Sequence, residues 1–339
     1  MKKVLKVLVL FDSAGPPPAD QNFTEQLKTK EWSTEASVIN ALKKLGHKIK
    51  LLGVYDDLSL IVNEIKSNQY DVVFNLTEVF LGKAYFDKNV VSILEMLKIP
   101  FTGSGSVALM LCNNKAVSKK ILTFHKIKVP HFQVFYRGKK VWKLKKLKYP
   151  LIMKPLTEEA STGISQASFI DNDSNFQERI RFIHEHLKMD AIAEEYIEGR
   201  ELYVSILGNK RLKMLPLREM KFGHIPDDEP KIATFKAKWD EKYRTRWGIK
   251  NDFAEDISEP IKEKIFNICK KAFKVLYLQG YGRFDIRLTR DSEVFILEAN
   301  ANPSLAPDDE VAMASKKMGI SYEQLTDTLI RYAFTKKDY

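Results

Sequence analysis

The chain has 339 residues, a length that predicts about two domains with three small ones possible. It is 44% hydrophobic and 29% charged, an ordinary balance for a folded protein with sizeable cores, and it holds no apolar run long enough to span a bilayer. A formal net charge of +11 leaves nucleic acid, an acidic membrane surface or anionic substrates open, while Cys112 and Cys269 are too few and too far apart for a disulfide framework or a zinc site.

Much of the positive excess lies in Lys139, Lys140, Lys143, Lys145, Lys146 and Lys148, interleaved with Val, Trp and Leu. That run reads as a solvated helix or loop face. No nucleic-acid motif accompanies it, so neither nucleic acid nor a membrane is expected as a partner. The basic, apolar start of the chain is interrupted by Lys6 and followed by no small-residue cleavage site. It reads as a first strand, and with only two cysteines the expected compartment is the reducing cytoplasm.

In chain order, a strand over 4–11 leads into a polar loop over 12–30 containing Pro16, Pro17 and Pro18. A helix over 33–45 follows, with Gly46 as its C-terminal glycine. Strand 47–54, helix 58–67, strand 72–76 and helix 87–97 complete a pattern that argues a small doubly wound α/β unit, closed by P-F-T-G-S-G at 100–105. A helix over 113–125 carries Lys115, and a short buried strand over 149–155 is interrupted by one charge, Lys154. Lysine is rarely buried without a partner, which makes a strand-end lysine a candidate phosphate ligand. In the loop over 156–163, Ser161, Thr162 and Gly163 offer hydroxyls and backbone N–H groups suited to phosphate, although an ordinary polar turn has the same composition.

A helix over 174–186 bears His184 and His186 at the wrong spacing for H-E-x-x-H, so they are read as surface residues. The segment A-I-A-E-E-Y-I-E-G-R-E at 191–201 comes next, then a strand over 201–207, a polar stretch over 222–253 and a helix over 259–278. The stretch 282–303 predicts two strands joined by a tight turn at 289–292, because Phe284, Ile286 and Leu288 alternate with polar residues and V-F-I-L at 294–297 is a buried-strand run. Period-two alternation puts Arg283 and Asp285 on one face, and likewise Glu298 and Asn300. Two carboxylates and an amide oxygen beside a guanidinium suit Mg²⁺, which prefers oxygen ligands, and a hairpin with a surface salt bridge is the competing reading. Helices over 308–318 and 322–332 end the chain.

G-R-F-D followed by L-E-A-N-A-N-P resembles the metal-binding end of ATP-grasp ligases, specifically the D-alanine-D-alanine ligase family. T-G-S-G at 102–105, N-N-K-A-V-S-K-K at 113–120, the Lys154-Pro155 pair, the 191–201 segment and T-F-K-A-K-W at 234–239 are each similar to further family motifs. The resemblance spans about two thirds of the chain and implies an α/β ATP-grasp fold. Its implied parts are an N-terminal doubly wound parallel-sheet domain over 1–112, a central α+β lid over 113–203 and a C-terminal α+β domain over 204–339, with ATP between the last two.

The implied reaction is ATP-dependent amide-bond formation through an acyl phosphate, with ADP and phosphate as products. ATP and Mg²⁺ are the implied cofactors, two ions with Mn²⁺ as a substitute, and a homodimer is left open. Asp285, Glu298 and Asn300 would hold the metal. Lys115, Lys154 and Lys238 would neutralise phosphates beside Ser161, Thr162 and Gly163, and Ile152, Glu194, Tyr196, Ile197, Glu201 and Leu297 would hold the nucleotide. In that set Glu194 faces the adenine amino group and Glu201 the ribose, while Glu195 and Glu198 are read as exposed. Arg283, with Lys238, would act in catalysis by stabilising an oxyanion.

Departures fall on the substrate side. The family's glutamate after the first strand and its H-G-x-x-G-E-D-G segment are replaced by the proline-rich loop and by N-L-T-E-V-F-L-G at 75–82. Its loop serine is Ala160, and the tyrosine beside its lid lysine is Trp239. A ligase for another acid and amine is therefore expected, with a divergent D-alanine-D-alanine ligase and a nucleotide-binding protein without turnover as the alternatives. Ser304, Asp308 and Asp309 join Trp239 as candidate substrate contacts. Asp309 stands where the family has a serine near the second substrate's carboxylate, which argues an acceptor without that carboxylate or with an added positive charge. The same P-D-D-E is also a favourable helix start.

Overall fold

The structure, a computed structural model, describes residues 3–157, 164–226 and 230–336. Its first sheet has the order β2-β1-β3, with β1 (Lys6–Asp12) between β2 (Lys48–Val54) and β3 (Val72–Asn75), all parallel. A V-L-V-L-F strand suits the central place because a parallel strand is covered on both faces. Helices α1 (Ser33–Lys44), α2 (Ser59–Ser67) and α3 (Asp87–Met96) make the connections, and Gly46 ends the first of them at φ +80°. The helix expected over 113–125 is α5 (Lys115–Phe124), and a helix not expected from the sequence, α4 (Ser106–Asn113), precedes it. Asn114 divides them, because its side-chain oxygen accepts from the Ala116 and Val117 N–H groups and starts a new helix.

The second sheet is antiparallel with the order β4-β7-β5-β6, from β4 (Phe132–Phe135), β5 (Leu151–Pro155), β6 (Phe169–Ile170) and β7 (Ala191–Glu195). Helix α6 (Asp173–Arg181) backs it, with Phe176 and Ile180 packed against Leu151 and Met153. A single wide turn, Phe182–His186, carries His184 and His186; the His184 Nε2 atom lies 2.9 Å from the Phe135 carbonyl oxygen, so this histidine is not simply a surface residue.

The third sheet has the order β11-β10-β8-β12-β13. It comprises β8 (Arg200–Leu207), with the short β9 (Lys213–Met214) beside it, β10 (Arg218–Phe222), β11 (Ile249–Phe253), β12 (Tyr281–Leu288) and β13 (Val294–Asn300). The polar stretch before β11 is ordered as α7 (Phe235–Trp239) and α8 (Glu241–Trp247), capped by Thr234 and Asp240. Helix α9 (Glu259–Val275) buries one face of the sheet, and α10 (Glu310–Lys317) and α11 (Tyr322–Ala333) follow. One apolar core runs from Leu8 and Leu10 of β1 through Leu109 and Cys112 of α4 to Cys269 and Phe273 of α9. The divisions expected after 112 and 203 fall inside α4 and β8. Among the described residues no helix is long and apolar enough to cross a membrane.

The β12–β13 hairpin carries an irregularity that alternation alone misses. Arg283 pairs with Asn300, Phe284 with Ala299 and Asp285 with Glu298, after which Ile286 pairs with Ile296 and Leu297 is left as an extra residue. This bulge resets the alternation, so Leu297 and Glu298 both line the same cleft.

Candidate active site

On β12, Arg283, Asp285 and Arg287 alternate with Phe284, Ile286 and Leu288, whose side chains are held in the core against α9. Core burial of the apolar set therefore fixes the charged set toward the opposite face. Arg283 holds Asp285 through two contacts, Nε to Oδ1 at 2.7 Å and Nη2 to Oδ2 at 3.2 Å, and Asn300 donates its Nδ2 to the same Oδ1 at 3.3 Å. Arg287 pairs with its cross-strand neighbour Glu201 at 2.6 Å and also donates to the carbonyls of Gly199 and Lys231.

Three lysines reach the same region from α5 and β5. Lys115 Nζ lies 3.0 Å from Glu298 Oε1, while Lys119 and Lys154 lie 3.3 and 3.2 Å from the two oxygens of Glu194. Lys119 also donates to the carbonyl of the bulged Leu297. All three are buried, and each has a carboxylate partner as buried charge requires. Burial works to raise the Glu298 carboxyl pKa, but Lys115, Lys154 and Lys238 outweigh it and hold it well below the usual range. Burial pulls the Lys119 ammonium down to about 8 against the attraction of Glu194. For Lys154 burial is outweighed by Glu194 and Glu298, and its pKa is raised.

These groups surround a cleft between the second and third sheets. Ile152, Lys154, Glu194, Tyr196, Ile197, Glu201, Lys238, Asp285, Leu297 and Glu298 all line it, so residues expected to act together from 152 to 298 do meet. Lys115 stands behind Glu298. Glu194 Oε1 is buried without a hydrogen-bond partner, since Lys119 at 3.3 Å is placed for attraction and not for a directed bond. A buried acceptor left without a hydrogen bond fits a ring amino group that donates to it.

Asp285, Glu298 and Asn300 offer oxygens at paired positions of β12 and β13. Among the described residues no group of three or more His, Cys, Asp or Glu is placed to hold a metal ion. Two carboxylates and one amide nevertheless fit Mg²⁺, which completes its shell with phosphate oxygens and water.

A second cavity, of about 630 Å³, adjoins the end of the cleft lined by Lys238 and Asp285. Lys238 lines both spaces, and Arg283, Asn300, Trp239, Ser304, Asp308 and Asp309 line the second. Asp309 is the N-cap residue of α10, yet its side chain makes no capping hydrogen bond. Glu310, by contrast, is buried and held by Arg218 at 2.8 Å and Asn251 at 2.7 Å. Glu195, expected to be exposed, is half-buried in the cleft wall, where it accepts from the Lys148 N–H, whereas Glu198 is exposed. Ala160, Ser161, Thr162 and Gly163 lie outside the described residues.

Two residues of this site were missed from sequence, Lys119 and Arg287. The signals were present: Lys119 is four residues after Lys115 on one helix face, and Arg287 two residues after Asp285 on one strand face.

The chain matches the family described as D-ala D-ala ligase C-terminus over residues 121–331. It is 28% identical over 302 residues to an uncharacterized protein, y4sG, of Sinorhizobium fredii, covering 88% of this chain and 86% of that one. To a D-alanine–D-alanine ligase of Thermotoga maritima it is 29% identical over 303 residues, covering 88% and 91%. Its fold is similar to the crystal structure of D-alanine–D-alanine ligase from Bacillus anthracis complexed with ATP, with a TM-score of 0.76, 21% identity and 98% of each chain covered.

Proposed function

The chain belongs to the D-ala D-ala ligase C-terminus family, and from that premise we propose how its residues divide the work of an ATP-dependent ligase. The protein has the ATP-grasp fold and is an ADP-forming ligase that joins a carboxylate to an amine, with ATP and Mg²⁺ as cofactors and small molecules as substrates. The carrying observation for the roles is the meeting of Lys115, Lys154 and Lys238 with Asp285 and Glu298 where the cleft opens on the second cavity.

In this reading the adenine amino group donates to Glu194 Oε1, the backbone of Tyr196 and Ile197 completes the ring's edge, and Ile152 and Leu297 pack on its faces. Glu201, anchored by Arg287, accepts from the ribose. Lys115, Lys154 and Lys238 neutralise phosphate charge, joined by the hydroxyls and N–H groups of Ser161, Thr162 and Gly163. Lys119 is a positioning residue, since it fixes the Leu297 carbonyl and Glu194. Asp285, Glu298 and Asn300 would hold Mg²⁺, two ions with Mn²⁺ able to substitute, which supplies charge compensation on the transferring phosphoryl group.

The substrate carboxylate attacks the γ-phosphorus, the bond to the bridging oxygen breaks and ADP leaves. An amine nitrogen then attacks the acyl carbon, the C–O bond breaks with its electron pair leaving on phosphate, and the nitrogen loses a proton. Arg283, fixed by Asp285 at the junction of the two spaces, is set to stabilise the oxyanion between these events. The departures at Trp239 and Asp309 favour an acid and amine other than two D-alanines, with a divergent D-alanine–D-alanine ligase as the second reading. The test is Mg-ATP with pooled L- and D-amino acids and short hydroxy acids, with hydroxylamine as trap and mass spectrometry of products. ADP release with a new amide or hydroxamate is expected. No hydroxamate from any acid overturns the reading.

A further inference from the structure

The second cavity has an unusual charge balance for a space that must admit an amine and a carboxylate. Asp12, Glu31, Glu35, Asp87, Asp308 and Asp309 line it, and none of them has a Lys or Arg ion-pair partner among the described residues. The lining cations are Lys30, exposed, and Lys238 and Arg283, both at the end shared with the nucleotide cleft, where Arg283 is already bound to Asp285. No lining cation away from that end is buried to receive an acceptor's carboxylate.

Two further observations point to a ligand that donates hydrogen bonds. Tyr281 is 3% exposed and lines the cavity with a phenol hydroxyl that has no hydrogen-bond partner among the described residues. Glu35 Oε2 is buried and likewise without a hydrogen-bond partner. Burial raises the carboxyl pKa of Asp12, Glu35 and Asp87, in Asp12 against hydrogen bonds from the Glu78 and Val79 N–H groups and in Asp87 against those from Asn113 and the Lys88 N–H.

We propose that the amine substrate is a diamine or polyamine without a carboxylate: one nitrogen meets the acyl group near Arg283 and Asn300, and a distal ammonium is held by the cavity's unpaired carboxylates and the Tyr281 hydroxyl. This rests on the ligase reading and deepens it. Residues 12, 31, 35 and 87 come from the part of the chain where the sequence resemblance is weakest, and they extend the acidity already legible at 308–309 into a lined chamber. Attraction between opposite charges in a partly desolvated space selects for the second ammonium and against a carboxylate there.

The test uses the full chain loaded with Mg²⁺ and a non-hydrolysable ATP analogue, titrated by calorimetry with 1,4-diaminobutane, butylamine and 4-aminobutanoate, which differ only in the distal group. The diamine is expected to bind at least tenfold more tightly than butylamine, with the acid weakest. Equal binding of the three, tighter binding of the acid, or no binding of the diamine overturns the proposal. In Glu35→Gln and Asp309→Asn the ratio of diamine to butylamine affinity should fall at least threefold; a merely structural defect weakens both ligands and leaves the ratio unchanged, which also counts against the proposal. Hydroxylamine trapping needs no acceptor, so trapped hydroxamate without a charge preference refutes this inference alone, whereas no hydroxamate refutes the ligase reading beneath it.

Discussion

The proposed nucleotide cleft and the cavity beside it are built on opposite electrostatic plans. In the cleft nearly every buried charge already has a partner within the protein: Lys115 with Glu298, Lys119 and Lys154 with Glu194, Arg287 with Glu201. In the cavity the carboxylates of Glu35, Asp308 and Asp309 stand without cationic partners among the described residues. A paired cleft holds its shape before ligand arrives, so binding exchanges one set of partners for another with little rearrangement. An unpaired cavity leaves its charge for the ligand to complete, which makes it a place of selection.

The largest expected effect comes from breaking the paired side at its reactive end. Glu298→Gln should lower kcat by about 100-fold or more while changing nucleotide affinity only several-fold, because the proposed adenine and ribose contacts stay intact and the proposed metal site loses a charge. Steady-state kinetics and nucleotide titration separate the two, and near-normal turnover in saturating Mg²⁺ would remove Glu298 from the metal set. Next in size, Lys154→Ala should weaken nucleotide binding by about tenfold as a phosphate ligand is lost, measured by calorimetry. Unchanged affinity there would make Lys154 a structural partner of Glu194 only.

A third change sharpens what pairing means for stability. Arg287→Met leaves Glu201 buried without its cation and should cost about 3 kcal/mol in denaturant unfolding, and adding Glu201→Gln should restore part of the loss. If the double variant is no more stable than the single, the pair is not the source of the effect. The smallest change is on the unpaired side. Asp309→Ser should shift acceptor preference toward amines bearing a free carboxylate by about fivefold, roughly 1 kcal/mol, with little change in nucleotide affinity. Competition between an amino acid and its amide reads this directly, and an unmoved ratio would make Asp309 only the start of α10.

Much of the fold was legible because its signals are local. A run such as V-L-V-L-F at 7–11, alternation at 284, 286 and 288, and a glycine after the helix ending at Lys44 each act within a few residues, where backbone geometry dictates the outcome. The same locality made 283–300 readable as a hairpin with one oxygen-rich face, and Asp285 and Glu298 are indeed cross-strand partners. Helix α4 escaped the sequence reading, and the start of α5 at Asn114 is fixed by a side chain that turns back to the Ala116 and Val117 N–H groups. The bulge at Leu297, the Lys119 bond to its carbonyl and the Arg287–Glu201 pair depend on which strand and helix come to lie alongside β12 and β13. The acidic cavity is the extreme case, since Asp12 at the end of β1, Glu35 of α1 and Asp309 at the start of α10 line one space only through tertiary packing. Sequence alone therefore determined which residue types were available for the chemistry. Tertiary structure decided which charges were neutralised by partners and which were left for a ligand, because that balance is set by distances between residues hundreds of positions apart, and Coulomb energies follow distance and burial.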